Sequence, residues 1–153
     1  MIIKLCKRRP VQLIILIMVG LLWSLLSQAA IVMGNPKGHI VVDEVFDYQC
    51  PYCLETAPAV EKLMQNYPQI KVRLMPVGLL NKMSIEEAAV AITAAHTSNQ
   101  FTSIQSIFWR SPPHSHQAVV TILKRLHLWN SRYQQQTHSH FVYEQLQEGA
   151  ALL

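Results

Sequence analysis

The chain has 153 residues, 50% of them hydrophobic and 14% charged, with 13 Lys+Arg against nine Asp+Glu and an apparent net charge of +4. Four of the basic residues, Lys4, Lys7, Arg8 and Arg9, lie at the extreme N-terminus and no acidic residue does, so the rest of the chain carries nine of each sign. With the excess removed and no basic stripe interleaved with aromatics, the composition excludes a nucleic-acid-binding role.

The basic lead is followed by an apolar run from Val11 to Leu26, and Ser27-Gln28-Ala29 then supplies small side chains. This is the anatomy of a secretory signal peptide over residues 1–29, cleaved after Ala29. The run is short for a membrane span, which needs about 20 residues. If retained instead as an N-terminal membrane anchor, its basic flank still leaves the remainder outside the cytoplasm. Ala30 to Leu153 suits one compact domain. Cys6 belongs to the leader, so the exported part holds only Cys50 and Cys53.

Gly34-Asn35-Pro36-Lys37-Gly38 reads as a polar connector. The β-branched and aromatic stretch His39–Phe46 then predicts a strand buried on both faces. From Pro51 the spacing turns helical, with Ala57, Val60, Met64 and Tyr67 on one face, and Asn66-Tyr67-Pro68 stops the helix. Ile70 to Val77 predicts a second strand, completing a βαβ unit with a right-handed crossover. Ser84-Ile85-Glu86-Glu87 reads as a capping box opening an alanine-rich helix to about His96. Further helices are expected over Gln100–Trp109, Gln117–Leu126 and Phe141–Leu153, so only helices follow the second strand. The boundaries expected are residues 30–83 for the βαβ part and 84–153 for a helical insertion.

Cys50 and Cys53 fall where strand gives way to helix. Cys50 occupies the N-cap and Pro51 the first helical position, where its missing N–H costs nothing. Free backbone N–H groups and the positive end of the helix dipole face the Cys50 sulfur, and both favour thiolate. Such sites lower a cysteine pKa from about 8.5 to roughly 3.5–7.5. A stabilised thiolate stabilises the reduced pair and makes its disulfide a better oxidant. Cys50 is therefore the expected nucleophile, and Cys53, one turn in and buried, the resolving thiol. As a structural staple the pair is poor, because the loop it closes is tiny.

A metal site needs about four ligands. There is no second C-x-x-C, and His114-Ser115-His116 and His138-Ser139-His140 read better as polar loop and helix-start residues. Pro58 removes the N–H that the Leu54 carbonyl would receive, and the expectation is a kink that shapes the site. Glu44 is either a buried proton acceptor for Cys53, its pKa raised by desolvation, or a strand-end charge reaching solvent.

The stretches VVDEVFDYQCPYCLETAPAVEKL, RLMPVGLL and SIEEAAVAITAAH resemble the DsbA family of exported thiol–disulfide oxidoreductases, and the tail LKRLHLWNSRYQQQTHSHFVYEQLQEGAALL is similar to the last helices of that family's insertion. The likeness runs from about Asn35 to Ala150. It implies an α/β, thioredoxin-like fold with a helical insertion, Cys50 and Cys53 as redox pair, Glu44 at the buried acidic strand position, and no cofactor. Tyr52, beside Pro51, departs from the Pro-His of the best-known member. The chain stops where the family continues into a cis-proline segment, so the resemblance implies a domain lacking its closing β-hairpin and last helix.

Three readings follow: a periplasmic oxidoreductase, an inactive fragment of one, or an exported Cys/His metal-binding protein. Within the first, only Ala30–Gly38 precede the first strand, which argues against an oligomeric isomerase. The direction expected is oxidation of substrate proteins with cysteines, with regeneration by a DsbB-type membrane partner.

Overall fold

A computed structural model describes residues 31–153; the proposed leader lies outside them. The elements run β1 (Ile31–Gly34), β2 (Ile40–Phe46), α1 (Pro51–Asn66), β3 (Ile70–Pro76), α2 (Lys82–Thr97), α3 (Phe101–Arg110), α4 (His116–Arg125), α5 (Ser131–Thr137) and α6 (His140–Ala150). Among the described residues no helix is long and apolar enough to cross a membrane.

The sheet has three strands in the order β1-β3-β2. β3 is central, parallel to β2 and antiparallel to β1. Its alternation resolves as read: Ile70, Val72, Leu74 and Pro76 are buried and Arg73 is exposed. β2 corrects the expectation of burial on both faces. It is an edge strand, with Ile40 and Val41 exposed at 44% and 46%. Its inner face carries Val42, Glu44 and Phe46, which lie in register with Val72, Leu74 and Pro76. On the other face Asp43 accepts both hydrogen bonds of a bidentate pair from Arg73.

β1 is a strand that the sequence reading left unassigned. It ends at Gly34, whose φ of 74° is a left-handed conformation that glycine adopts without steric cost. The connector then turns through Asn35, whose carbonyl accepts from the Gly38 N–H at 2.9 Å.

Helix α1 runs unbroken for 16 residues through Pro58 and buries Ala57. Helix α2 is the centre of the helical subdomain and buries nine residues. Its start corrects the capping-box reading. Asn81 is the N-cap and accepts from the Met83 and Ser84 N–H groups at 2.8 and 3.1 Å. Ser84 and Glu87 are instead inside the protein, and the Ser84 hydroxyl finds no partner. The two His-Ser-His stretches do start helices: Ser115 caps α4 and Ser139 caps α6. Helix α5, capped by Asn130, had no expected counterpart.

An aromatic chain joins the subdomain to the sheet. Phe46 meets Tyr48 at 5.2 Å and Trp109 at 5.4 Å, and Tyr48 meets Phe108 at 5.3 Å, all centroid to centroid. Such offset and edge-on contacts contribute about 0.5–1.5 kcal/mol each beyond burial. They place α3 directly behind the turn that carries the cysteines.

Candidate active site

The segment between β2 and α1, Asp47-Tyr48-Gln49-Cys50, is built by side chains on either side of its own backbone. The Asp47 carbonyl accepts from the Cys50 N–H at 3.1 Å. The Asp47 carboxylate accepts from the Gln49 N–H at 2.8 Å, an Asx turn that closes the loop locally. Its second oxygen accepts from the Leu79 and Leu80 N–H groups at 2.9 and 3.2 Å, which ties the β3–α2 loop to the same turn. Tyr48 is wholly buried and donates its hydroxyl to the Gln105 carbonyl oxygen on α3.

Cys50 is the N-cap of α1 with Pro51 next, in an extended conformation (φ −82°, ψ 115°). Its side chain makes no capping bond. The backbone N–H of Cys53 is nevertheless the main influence holding the Cys50 pKa below the ordinary thiol value, against burial, and the Cys53 thiol and the Tyr52 N–H add to it. Asp47 opposes this by charge repulsion. Burial pushes the Cys53 thiol up. The pair is thus asymmetric, with thiolate favoured at Cys50 and thiol at Cys53. Cys53 is half-buried rather than buried, and both cysteines are free thiols.

Glu44 is half-buried on the inner face of β2, and burial raises its pKa. Its Oε2 is enclosed without a hydrogen-bond partner. Tyr48 is among its neighbours, since the Glu44 charge helps push the phenol further up. Tyr52 stands out from the surface at 79% exposure, and Pro51 and Pro58 are exposed on α1.

Asp47 and Gln49, in the turn before Cys50, escaped the sequence reading, and Glu87, read there as a capping-box residue, stands behind Gln49. Glu87 lies on α2, wholly buried, and both its oxygens accept from Gln49 Nε2. Only Asp47 had a local signal, an acidic residue two positions before an amide it accepts from. Among the described residues no group of three or more His, Cys, Asp or Glu is placed to hold a metal ion. One residue of each His-x-His stretch pairs with a glutamate, His116 with Glu86 at 2.7 Å and His140 with Glu144 at 3.4 Å. A cleft of about 810 Å³ opens within the helical subdomain, with Trp129, Tyr133 and Leu146 in its walls, and neither cysteine lines it.

Comparison with known proteins agrees with this geometry. The family model described as DSBA-like thioredoxin domain matches residues 41–149. No curated protein sequence matches the chain. Among solved structures it is similar to a thioredoxin-like oxidoreductase from Silicibacter pomeroyi, with a TM-score of 0.75 and 24% identity over 82% of this chain and 73% of that one. It is also similar to a periplasmic thioredoxin-like protein from Salmonella enterica serovar Typhimurium (TM-score 0.71, 20% identity, 84% and 73% covered). A third likeness is to the thiol-disulfide exchange protein alpha-DsbA2 from Wolbachia pipientis (TM-score 0.72, 13% identity, 82% and 69% covered). At these identities the structural likeness speaks for the fold, and the family match covers most of the sequence. With its C-P-Y-C pair at the head of α1, the chain belongs to the DSBA-like thioredoxin domain family of thiol–disulfide oxidoreductases.

Proposed function

We propose that the protein is an exported oxidase of cysteine-containing proteins, with Cys50 as its nucleophile and Cys53 as its resolving thiol. The observation that carries this reading is the asymmetry of the pair: N–H groups at the start of α1 draw the Cys50 thiol down while burial pushes the Cys53 thiol up. Cys50 is then the point of attack in the first half-reaction and the better leaving group in the second.

In the oxidising direction a substrate thiolate attacks Cys50 Sγ of the Cys50–Cys53 disulfide. A substrate–Cys50 mixed disulfide forms, and Cys53 leaves as thiolate and takes up a proton. A second substrate thiolate then attacks the substrate sulfur of the mixed disulfide. The substrate gains its disulfide and Cys50 departs as the thiolate that the α1 N-terminus stabilises. Two electrons pass to the protein, and a DsbB-type membrane partner removes them. We assign the proton exchange with Cys53 to Glu44, a half-buried carboxyl on the strand leading to the cysteines whose pKa burial raises and whose Oε2 is enclosed without a partner. Tyr52, exposed beside Cys50, contacts the substrate, and Pro51 and Pro58 shape the start of α1. Residues 1–29 direct export to the periplasm and are removed after Ala29, which N-terminal sequencing of the exported protein checks.

The test is a redox titration in a glutathione series with alkylation of free thiols. A sharp two-electron transition well above about −270 mV, the thioredoxin value, is expected. Given a substrate protein that carries a disulfide, Cys53→Ser accumulates the mixed disulfide between Cys50 and a substrate sulfur, the other substrate sulfur leaving as thiolate, and Cys50→Ser forms none. A broad transition resembling that of an unfolded dithiol peptide overturns the proposal.

A further inference from the structure

Gln49 immediately precedes Cys50, yet its side chain is committed to the helical subdomain. Its Nε2 lies 3.0 and 2.9 Å from the two oxygens of Glu87 and 3.1 Å from the Pro113 carbonyl. The amide nitrogen has two hydrogens. One is shared by the Glu87 oxygens and the other goes to Pro113, on the loop between α3 and α4. The donor capacity of Gln49 is used up on that side.

Glu87 is wholly buried, and no cation faces it among the described residues whose influence on it is resolved. Asp47 and Glu86 both repel its charge, and Gln49 alone eases it. Tyr48, from the same turn as Gln49, feels the Glu87 charge, as it feels that of Glu44. Gln105 on α3 is neutral and bonded to Tyr48, and His116 on α4 is paired with Glu86 rather than Glu87. A carboxyl enclosed in this way weakens the fold when ionised, and the exchange chemistry does not require it. It is nevertheless one side chain away from the residue before the nucleophile.

We propose that Glu87 is a positioning residue of the redox site: through Gln49 it holds the peptide carrying Cys50 against the helical subdomain, and its charge decides how firmly. The inference rests on the reading of Cys50 as nucleophile. An ionised carboxylate accepts with both oxygens, which is the arrangement seen. A proton on Glu87 converts one acceptor into a donor facing a donor. The Gln49 amide then has to rotate to offer its oxygen, which takes its other N–H off Pro113. The hold on the turn is loosened, and Cys50 Sγ is less firmly kept over the Tyr52 and Cys53 N–H groups. Burial raises the Glu87 pKa to about 7, which puts the change in the range where exchange takes place.

The experiment is the pH profile of Cys50 alkylation by iodoacetamide in the full chain, from about pH 4 to about pH 9. Peptide mass spectrometry separates Cys50 from Cys6 and Cys53. Besides the inflection of Cys50 itself, wild type is expected to show a second one near pH about 7, with a rate about fivefold higher on its alkaline side, the low end for coupling between sites. Glu87→Gln, neutral and of the same shape, stays at the slow limit throughout and loses the second inflection. Gln49→Ala leaves the Glu87 carboxyl in place and cuts its connection to the turn, so it loses the inflection too. Circular dichroism of both variants is expected to match wild type. A single inflection in wild type overturns the inference, as does a second inflection that survives in Gln49→Ala, which would make Glu87 a distant charge and nothing more. A Cys50 no more reactive than an unfolded cysteine at any pH instead overturns the reading of the site, and the inference falls with it.

Discussion

Asp47→Asn separates two things one carboxylate does in this site. Asp47 is 5% exposed and its two oxygens accept from three backbone N–H groups, those of Gln49, Leu79 and Leu80. Asparagine keeps one acceptor oxygen. In its better orientation it retains the Leu79 and Leu80 bonds and sets an NH₂ against the Gln49 N–H. At least one charge-assisted bond is lost, a cost of about 1.5–3 kcal/mol. In a domain of this size that lowers Tm by roughly 4–12 °C. The same substitution removes the negative charge that opposes thiolate at both cysteines. The Cys50 pKa should therefore fall, and the disulfide should become more oxidising as its reduced form gains stability. Thiolate absorbance against pH, urea denaturation and the glutathione titration read the three quantities on one preparation. The expected result is a less stable and more oxidising protein. A Cys50 pKa that rises while stability falls would refute the reasoning, because Asp47 would then act by holding the α1 N-terminus in place and not by its charge.

Glu87 should make stability pH-dependent in a defined sense. Burial raises its pKa from 4.5 to about 7, so the folded state binds the proton more tightly. Its contribution is greatest below the unfolded pKa and declines as pH climbs to the folded one, by about 3 kcal/mol in all. Urea denaturation of Glu87→Gln should gain by about that amount over wild type between about pH 4 and about pH 8, and a gap that does not change with pH would count against it. Asn81→Ala should cost about 1 kcal/mol through loss of the α2 cap. Ser84→Ala should cost nothing or stabilise, since the enclosed hydroxyl has no partner; equal losses in thermal melts would restore the capping-box reading. Gly78→Ala puts a Cβ 2.4 Å from the Ile85 Cα, and the forced backbone shift should cost about 1–3 kcal/mol of stability by denaturation.

What the sequence disclosed follows the range of the forces involved. Helix α1 was legible because its signals are local: Pro51 at the first position, a three- and four-residue apolar spacing, and Tyr67-Pro68 at the end. The β3 alternation survived because a central strand is sampled by both neighbours. β2 was misjudged because Ile40 and Val41 report strand propensity and say nothing about which strand lies at an edge. β1 is too short for any period to emerge in four residues, and α5 carries Gln134, Gln135 and Gln136 where an apolar stripe would have marked it. The Ser84-to-Glu87 spacing fits a capping box, but Asn81 starts the helix three residues earlier and takes the Ser84 N–H that Glu87 would have reached back to. That frees Glu87 to turn inward. Its link to Gln49 spans 38 positions, a distance over which one sequence gives no pairing information.

The cysteines themselves were readable from one dipeptide and one helix start, while everything that holds them was not, and the difference is chemical. Asp47 is the one side-chain charge from outside the cysteine pair resolved as acting on the Cys50 and Cys53 thiols among the described residues, and it works against thiolate. The stabilisation of the Cys50 thiolate therefore comes from the N–H groups of Cys53 and Tyr52 and from the Cys53 thiol. A backbone donor cannot be strengthened by changing its side chain; it acts through position alone, and its effect weakens steeply as the bond lengthens or bends. The reactivity of Cys50 is then set by how well the turn before α1 is fixed. Asp47 fixes it to the β3–α2 loop, Tyr48 to α3, and Gln49 to α2 and to Pro113. Three of these four anchors lie in elements of the helical subdomain, which gives that subdomain a part in the chemistry although it contributes no reacting atom.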